Sequence, residues 1–158
     1  MTSRLTTAGS QNYKSKTLAT WIALVGGCVG LHRFYLYGFR DAWGWVFVLP
    51  TMIGVYGVQR MRQLGTDDQL AWVLIPFLGS MLSIAMFSAI VYGLMPDTQW
   101  NARFNPNGPL HRMNGITVVG VAAALIIGSG VLMATIAFSA QRYFEFAAEI
   151  EARAPRAR

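Results

Sequence analysis

His32 and Arg33 stand side by side where an apolar run ends, in the stretch GLHRFYLYGFR at positions 30–40. An imidazole titrates near neutral pH. A guanidinium offers a planar fork of donors that matches a phosphate or a carboxylate. The chemistry available here is therefore docking of a lipid phosphate or of a partner's carboxylate. The plainer use is an interface anchor that marks where the chain leaves a bilayer. Phe34 and Tyr35 follow directly, and amphipathic rings suit that boundary. Trp100 and Arg103 repeat the pairing of ring and cation in a later polar stretch. These six residues are the candidate lipid- or partner-binding set.

Other chemistry finds little support. Ser80, Ser83 and Ser88 lie in a run with no acid or base to activate them. Positions 70–95 and 115–140 carry no Asp, Glu, Lys or Arg, whereas pumps and intramembrane proteases keep ionisable groups at depth. No phosphate-binding glycine loop and no H-E-x-x-H is present. Cys28 is the single cysteine, so no intrachain disulfide and no cysteine-based zinc site can form. The run ending in Val25-Gly26-Gly27-Cys28 resembles a bacterial lipoprotein signal, but a long polar lead precedes it and apolar residues follow the cysteine. The expectation is a non-enzymatic protein with no cofactor and no metal.

The elements that must position these residues follow from hydropathy. The chain has 158 residues, 54% hydrophobic and 13% charged, with a formal net charge of +6. Soluble domains carry about 25% charged residues. The cations sit in short clusters between apolar runs, which argues for a membrane and against nucleic acid. The runs are 17–31, 42–58, 70–95 and 115–140. The last two would each make a helix about 39 Å long, enough to cross a hydrocarbon core of about 30 Å. The first two are shorter, about 22 and 25 Å, and Pro50 should kink the second. The expected fold is all-α: a polytopic integral membrane protein with four transmembrane helices, two short and two long. A re-entrant hairpin that enters and leaves on one side is the alternative for the first pair.

The expected organisation is a polar basic segment at 1–16, a helical hairpin at 17–58, a loop at 59–69, a third span at 70–95, a polar loop at 96–114, a fourth span at 115–140 and a helical tail at 141–158. With four spans, nine of the thirteen Lys and Arg fall on the side of both termini. The positive-inside rule then places both termini in the cytoplasm. Small residues four apart mark helix-packing candidates: Gly26 and Gly30, Gly79 and Ser83, Ala124 and Gly128.

The stretch KSKTLATWIALVGGCVGLHRFYLYG resembles the two-transmembrane (TM-two) domain family. Lys14 and Lys16 match its basic pair, Gly26, Gly27 and Gly30 its small positions, and His32 to Leu36 its turn. The match covers roughly positions 14–58, with Tyr37 standing before Gly38 where the family often has glycine directly. The resemblance implies a small integral membrane protein with no established catalytic chemistry. The functional expectation is an accessory or scaffold subunit of the bacterial inner membrane, multi-pass, that binds partner transmembrane helices, a second copy of itself or lipid headgroups. The alternative is a small transporter or pore formed by an oligomer.

Overall fold

An apolar run removed from water can satisfy its own N–H and C=O groups only by coiling. Among residues 13–153, which the computed structural model describes, every regular element is helical. The order is α1 (Lys16–Gly26), a 3₁₀ turn at Gly27–Val29, α2 (Leu31–Tyr37), α3 (Ala42–Leu64), α4 (Gln69–Leu94), α5 (Asp97–Phe104) and α6 (Gly115–Arg153). The parts of the expected basic segment and helical tail at 1–12 and 154–158 lie outside the described residues.

Two helices, α4 and α6, are long and apolar enough to cross a membrane. Only 17% of the apolar window of α4 and 22% of that of α6 is buried. Ile126, Met133, Phe87 and Leu49 all face outward, an apolar exterior that water-soluble monomers avoid. α3 has the length, 23 residues, but its last turns carry Arg60 and Arg62.

α4 is the central rod and packs on α1, α3 and α6. Small residues set the spacing. A Cβ on Gly54 would meet the Leu78 backbone nitrogen at 2.4 Å, and one on Gly57 would meet Leu74 at 2.6 Å. On the other side Gly79 receives Thr135, Gly93 receives Val121 and Gly128 receives Met86. Ala23, Met86, Ala89 and Ala124 form the buried core where α1, α4 and α6 meet. Of the packing candidates, Gly79, Ala124 and Gly128 thus sit on the α4–α6 seam, while the Ser83 hydroxyl donates to its own helix at Gly79 O.

The first run departs from expectation. It is not a crossing helix. α1 stops at Gly26, the backbone turns through Gly30 with φ of 77°, and α2 runs back alongside α1. The Lys14 ammonium donates to the Leu36 carbonyl, and the Ser15 N–H donates to Tyr35 Oη at 2.9 Å. Leu36 packs with Ala19. Gly26 and Gly30 are therefore hairpin-turn residues, not a helix-packing stripe. The tip lies against Ala85, well inside α4. The first run is therefore a folded hairpin and not one straight rod, and the described residues begin and end at opposite ends of the bundle. Tyr13 meets His111 at one end of the bundle, while the end of α6 meets the start of α4 through Glu149 and Gln69 at the other. Relocating the first run also spoils the nine-to-four count. Among the described residues the cations divide six to four between the ends.

Two smaller differences follow from packing. α3 continues through Pro50 to Leu64 and absorbs half of the expected 59–69 loop. The 96–114 loop contains a helix, α5, where turns were expected.

The corners on either side of α3 are built alike. In each an Arg Nε donates to an Asp Oδ2 eight residues on, at 2.6 Å: Arg33 to Asp41 and Arg60 to Asp68. Each has a positive-φ glycine, Gly38 or Gly65, three residues before the Asp. Each has a Trp indole donating to the carbonyl that follows that glycine, Trp45 to Phe39 and Trp72 to Thr66. The pattern G-x2-G-x2-R-x4-G-x2-D-x3-W-V thus occurs twice, from Gly27 and from Gly54.

Gly54→Val forces α3 off α4 and should cost about 1–3 kcal/mol of stability. Gly115→Ala, where nothing lies within 4 Å of the new Cβ, should change little. Thermal unfolding in detergent distinguishes the two.

Candidate functional site

The hairpin mouth, α5 and the start of α6 gather the polar side chains at one end of the bundle. Trp100 is fully buried there. Its ring lies 4.5 Å from Phe104 and 6.3 Å from Tyr92, and its indole donates to Lys14 O at 2.9 Å. Trp100 is the pin that holds α5 over the hairpin, not a ring dipped into headgroups. Asn105 clasps the same residue twice, accepting the Lys14 N–H at 2.9 Å and donating to Lys14 O at 3.0 Å. Asn101 does likewise for His111, at 2.8 and 2.9 Å.

Lys16 is buried and donates to Asp97 and to Met95 O, at 3.1 Å for the latter. The second Asp97 oxygen accepts the Met113 N–H at 2.8 Å. The Lys16 hydrogen bond, with Met113 assisting, holds the Asp97 carboxyl below the usual carboxylate range. His111 is pushed below its ordinary value by burial and by Lys16. Its Nδ1 lies 2.6 Å from the Tyr13 hydroxyl, and its Nε2 is buried with no partner among the described residues.

The structure brings two of the sequence candidates together across seventy positions. Arg33 lies 5.0 Å over the Tyr37 ring, and Arg103 donates to Tyr37 Oη at 2.9 Å. Arg33 is held by Asp41, whose carboxyl that hydrogen bond draws below its usual range. Arg103 carries no carboxylate partner among the described residues and sits 5.5 Å over Phe104. Phe34 stacks on Phe39 at 5.4 Å and lies tilted against Trp45 at 5.3 Å. Tyr35 turns inward to Ser15. His32 is not at the exit of the run. It is buried against Phe47 and Tyr92, with ring centroids at 5.4 and 5.7 Å.

No family model, curated protein or solved structure matches this chain. The site must be judged on its own geometry. Among the described residues no three His, Cys, Asp or Glu are grouped to hold a metal. What the arrangement offers is a cationic and aromatic rim, Arg33–Tyr37–Arg103, on a rigid polar cap. Sequence reading missed Tyr37, Asp97 and His111. Asp97 had a signal, as the first acid after the uncharged run at 70–95. The Asn-rich segment read as turns because an Asn that clasps a distant backbone looks the same as one that closes its own turn.

Both shifted groups make the cap acid-sensitive. The His111 value is lowered in the closed cap, so an open cap takes up a proton first. Cap stability is present above the ordinary histidine value of about 6.5 and lost as pH falls through it. Asp97 adds a further loss in the carboxylate range, with the same sign. Exchange protection of the α5 amides, corrected for intrinsic rates, should fall between about pH 7.5 and pH 5. His111→Phe should remove that step and leave the loss at lower pH.

Proposed function

We propose that this is a non-enzymatic, multi-pass membrane protein that acts as an accessory or scaffold subunit. In this reading α3, α4 and α6 cross the bilayer, and α1 with α2 forms a re-entrant hairpin, so the two ends of the chain emerge on opposite sides. The portion that resembles the TM-two domain is then this hairpin together with α3. The Arg33–Tyr37–Arg103 rim receives an anionic group of a partner protein or a headgroup, and the host membrane is the bacterial inner membrane.

One observation carries the choice of scaffold over pore. Most hydroxyls in the apolar stretches of α4 and α6 are consumed by their own helices. Ser83 donates to Gly79 O, Ser88 to Ile84 O, Thr135 to Val131 O and Ser139 to Thr135 O, at 2.7–2.9 Å. A solute path needs polar groups that converge from different helices. Here the helices meet through glycine and alanine, which suits a solid support. The same back-bonding leaves Ser83, Ser88 and Ser139 unpaired with a base.

Single cysteines in a Cys28→Ser background test the topology. Labels at positions 13, 38 and 108 should share one side, with 65 and 152 on the other. A four-span chain would instead group 13 with 65 and 152. For the function, a membrane protein retained with the wild type through mild-detergent purification should be lost with Arg103→Glu. Ion or solute conduction by the reconstituted chain would overturn the scaffold reading.

A further inference from the structure

The seam between α4 and α6 has a second side, away from α1 and α3, that is not closed. Three hollows follow one another along it. The one nearest the tip of the hairpin has a volume of about 210 Å³ and is bounded by Phe87, Ile90, Leu125 and Leu132. The next, about 610 Å³, begins at the same Leu132 and continues past Pro76, Thr135 and Ile136 to Ser139 and Tyr143. The last, about 380 Å³, shares Ser139 and Tyr143 and ends at Trp72, Gln69 and Arg142. From Val73 to Ile90 the trough runs about 26 Å along α4.

The polarity of this trough is graded. Its inner two-thirds is walled mainly by Leu, Ile and Phe, and the Ser83, Ser129 and Thr135 hydroxyls there are bonded to their own helix. Its outer end holds a guanidinium. Arg142 is clamped between rings, 4.9 Å over Trp72 and 5.5 Å over Phe138. Glu145 takes Nη1 at 2.5 Å. Nε is buried with no partner, and Nη2 makes no hydrogen bond among the described residues. A guanidinium fixed by rings, with donors unspent, at the end of an apolar trough is complementary to a phosphate that carries an alkyl chain.

We propose that the α4–α6 seam binds one anionic phospholipid, an acyl chain lying in the trough and the phosphate on Arg142. The site rests on the reading that α4 and α6 lie in the bilayer, and it is separate from the Arg33–Arg103 rim at the other end of the bundle. Tyr143 and Gln69 flank the phosphate, and Phe146 covers it from the outer turn. The Trp72 ring that clamps Arg142 is itself fixed through its N–H to Thr66, so the corner at Gly65 sets the angle of the headgroup seat.

The test is competitive retention of lipid by the full-length chain. The protein is purified in mild detergent, exposed to equal dioleoylphosphatidylglycerol and dioleoylphosphatidylcholine, and examined by native mass spectrometry. The wild type should retain the glycerol lipid about tenfold over the choline lipid, the value of one charge-assisted contact. Arg142→Gln should bring the two within about twofold, and Arg142→Lys should recover part of the preference. Ser139→Leu fills the trough and keeps the charge, so it should reduce retention of both lipids. It also serves if Arg142→Gln does not fold. Equal retention of both lipids by the wild type would overturn the proposal. So would stabilisation by inorganic phosphate equal to that by the lipid, which would make the site a free-anion site. A delipidated dimer that Ser139→Leu converts to monomer would assign the trough to a second copy instead. Release of the chain by alkaline carbonate would refute the membrane reading itself, whereas a chain that stays embedded without lipid preference refutes this site alone.

Discussion

The contact of Gly27 with Ala85, and of Gly30 with the carbonyl of Gly44, is the constraint on which the remaining architecture depends. A Cβ at Gly27 would stand 2.7 Å from Ala85, and one at Gly30 would stand 2.4 Å from the Gly44 oxygen. Only bare backbone fits between α3 and α4 at that depth. A turn there releases helix carbonyls into an apolar surrounding, where an unmet polar group costs several kcal/mol. The Thr51 hydroxyl meets one of them, Cys28 O, at 2.5 Å. The hairpin, its neighbours and the depth of its tip are fixed by the same few atoms.

Closing the hairpin creates the need for the cap. Two lysines, Lys14 and Lys16, arrive at the mouth, Lys16 buried and Lys14 over the Phe104 ring. Lys14 is used to tie the two arms together at Leu36, and Lys16 is neutralised by Asp97. A buried ammonium without a partner is among the most costly arrangements a fold can hold. The placement of α5, which begins with that aspartate, thus follows from where the first helix starts. Trp100 and the two asparagines then lock α5 to the chain it covers. The rim of Arg33, Tyr37 and Arg103 is a by-product of this closure, since it needs α2 and α5 at the same level.

The all-helical class and the long runs at 70–95 and 115–140 were legible, because twenty or more uncharged residues leave a chain few choices. α4 and the first part of α6 fall on them. The direction of the first run was not legible. Hydropathy records depth and carries no sign for the way a chain travels. Local spacing does not decide it either, for Gly27 and Gly30 break a helix while Gly54 and Gly57, at the same interval, lie inside the unbroken α3. The difference is tertiary: the first pair faces Ala85 and the Gly44 carbonyl, with the Thr51 hydroxyl meeting Cys28 O between them, and the second faces Leu74 and Leu78. Trp100 was misplaced for a related reason. A ring in a polar loop has the same composition whether it rests on headgroups or pins a cap. Arg142 received no weight as a binding residue because its unspent donors depend on Trp72 and Phe138, which sequence alone does not bring beside it.

The paired corners at Gly38 and Gly65 carry a consequence for how such a chain can change. Each corner is self-contained, with its ion pair, its glycine and its indole all drawn from thirteen consecutive positions. A rod plus a corner is thus a unit that can be copied without disturbing its neighbours. Inserting one more would carry everything downstream to the opposite end of the bundle, whereas inserting two would restore it. Parity, and not any charge downstream, would then decide at which end of the bundle the polar cap forms.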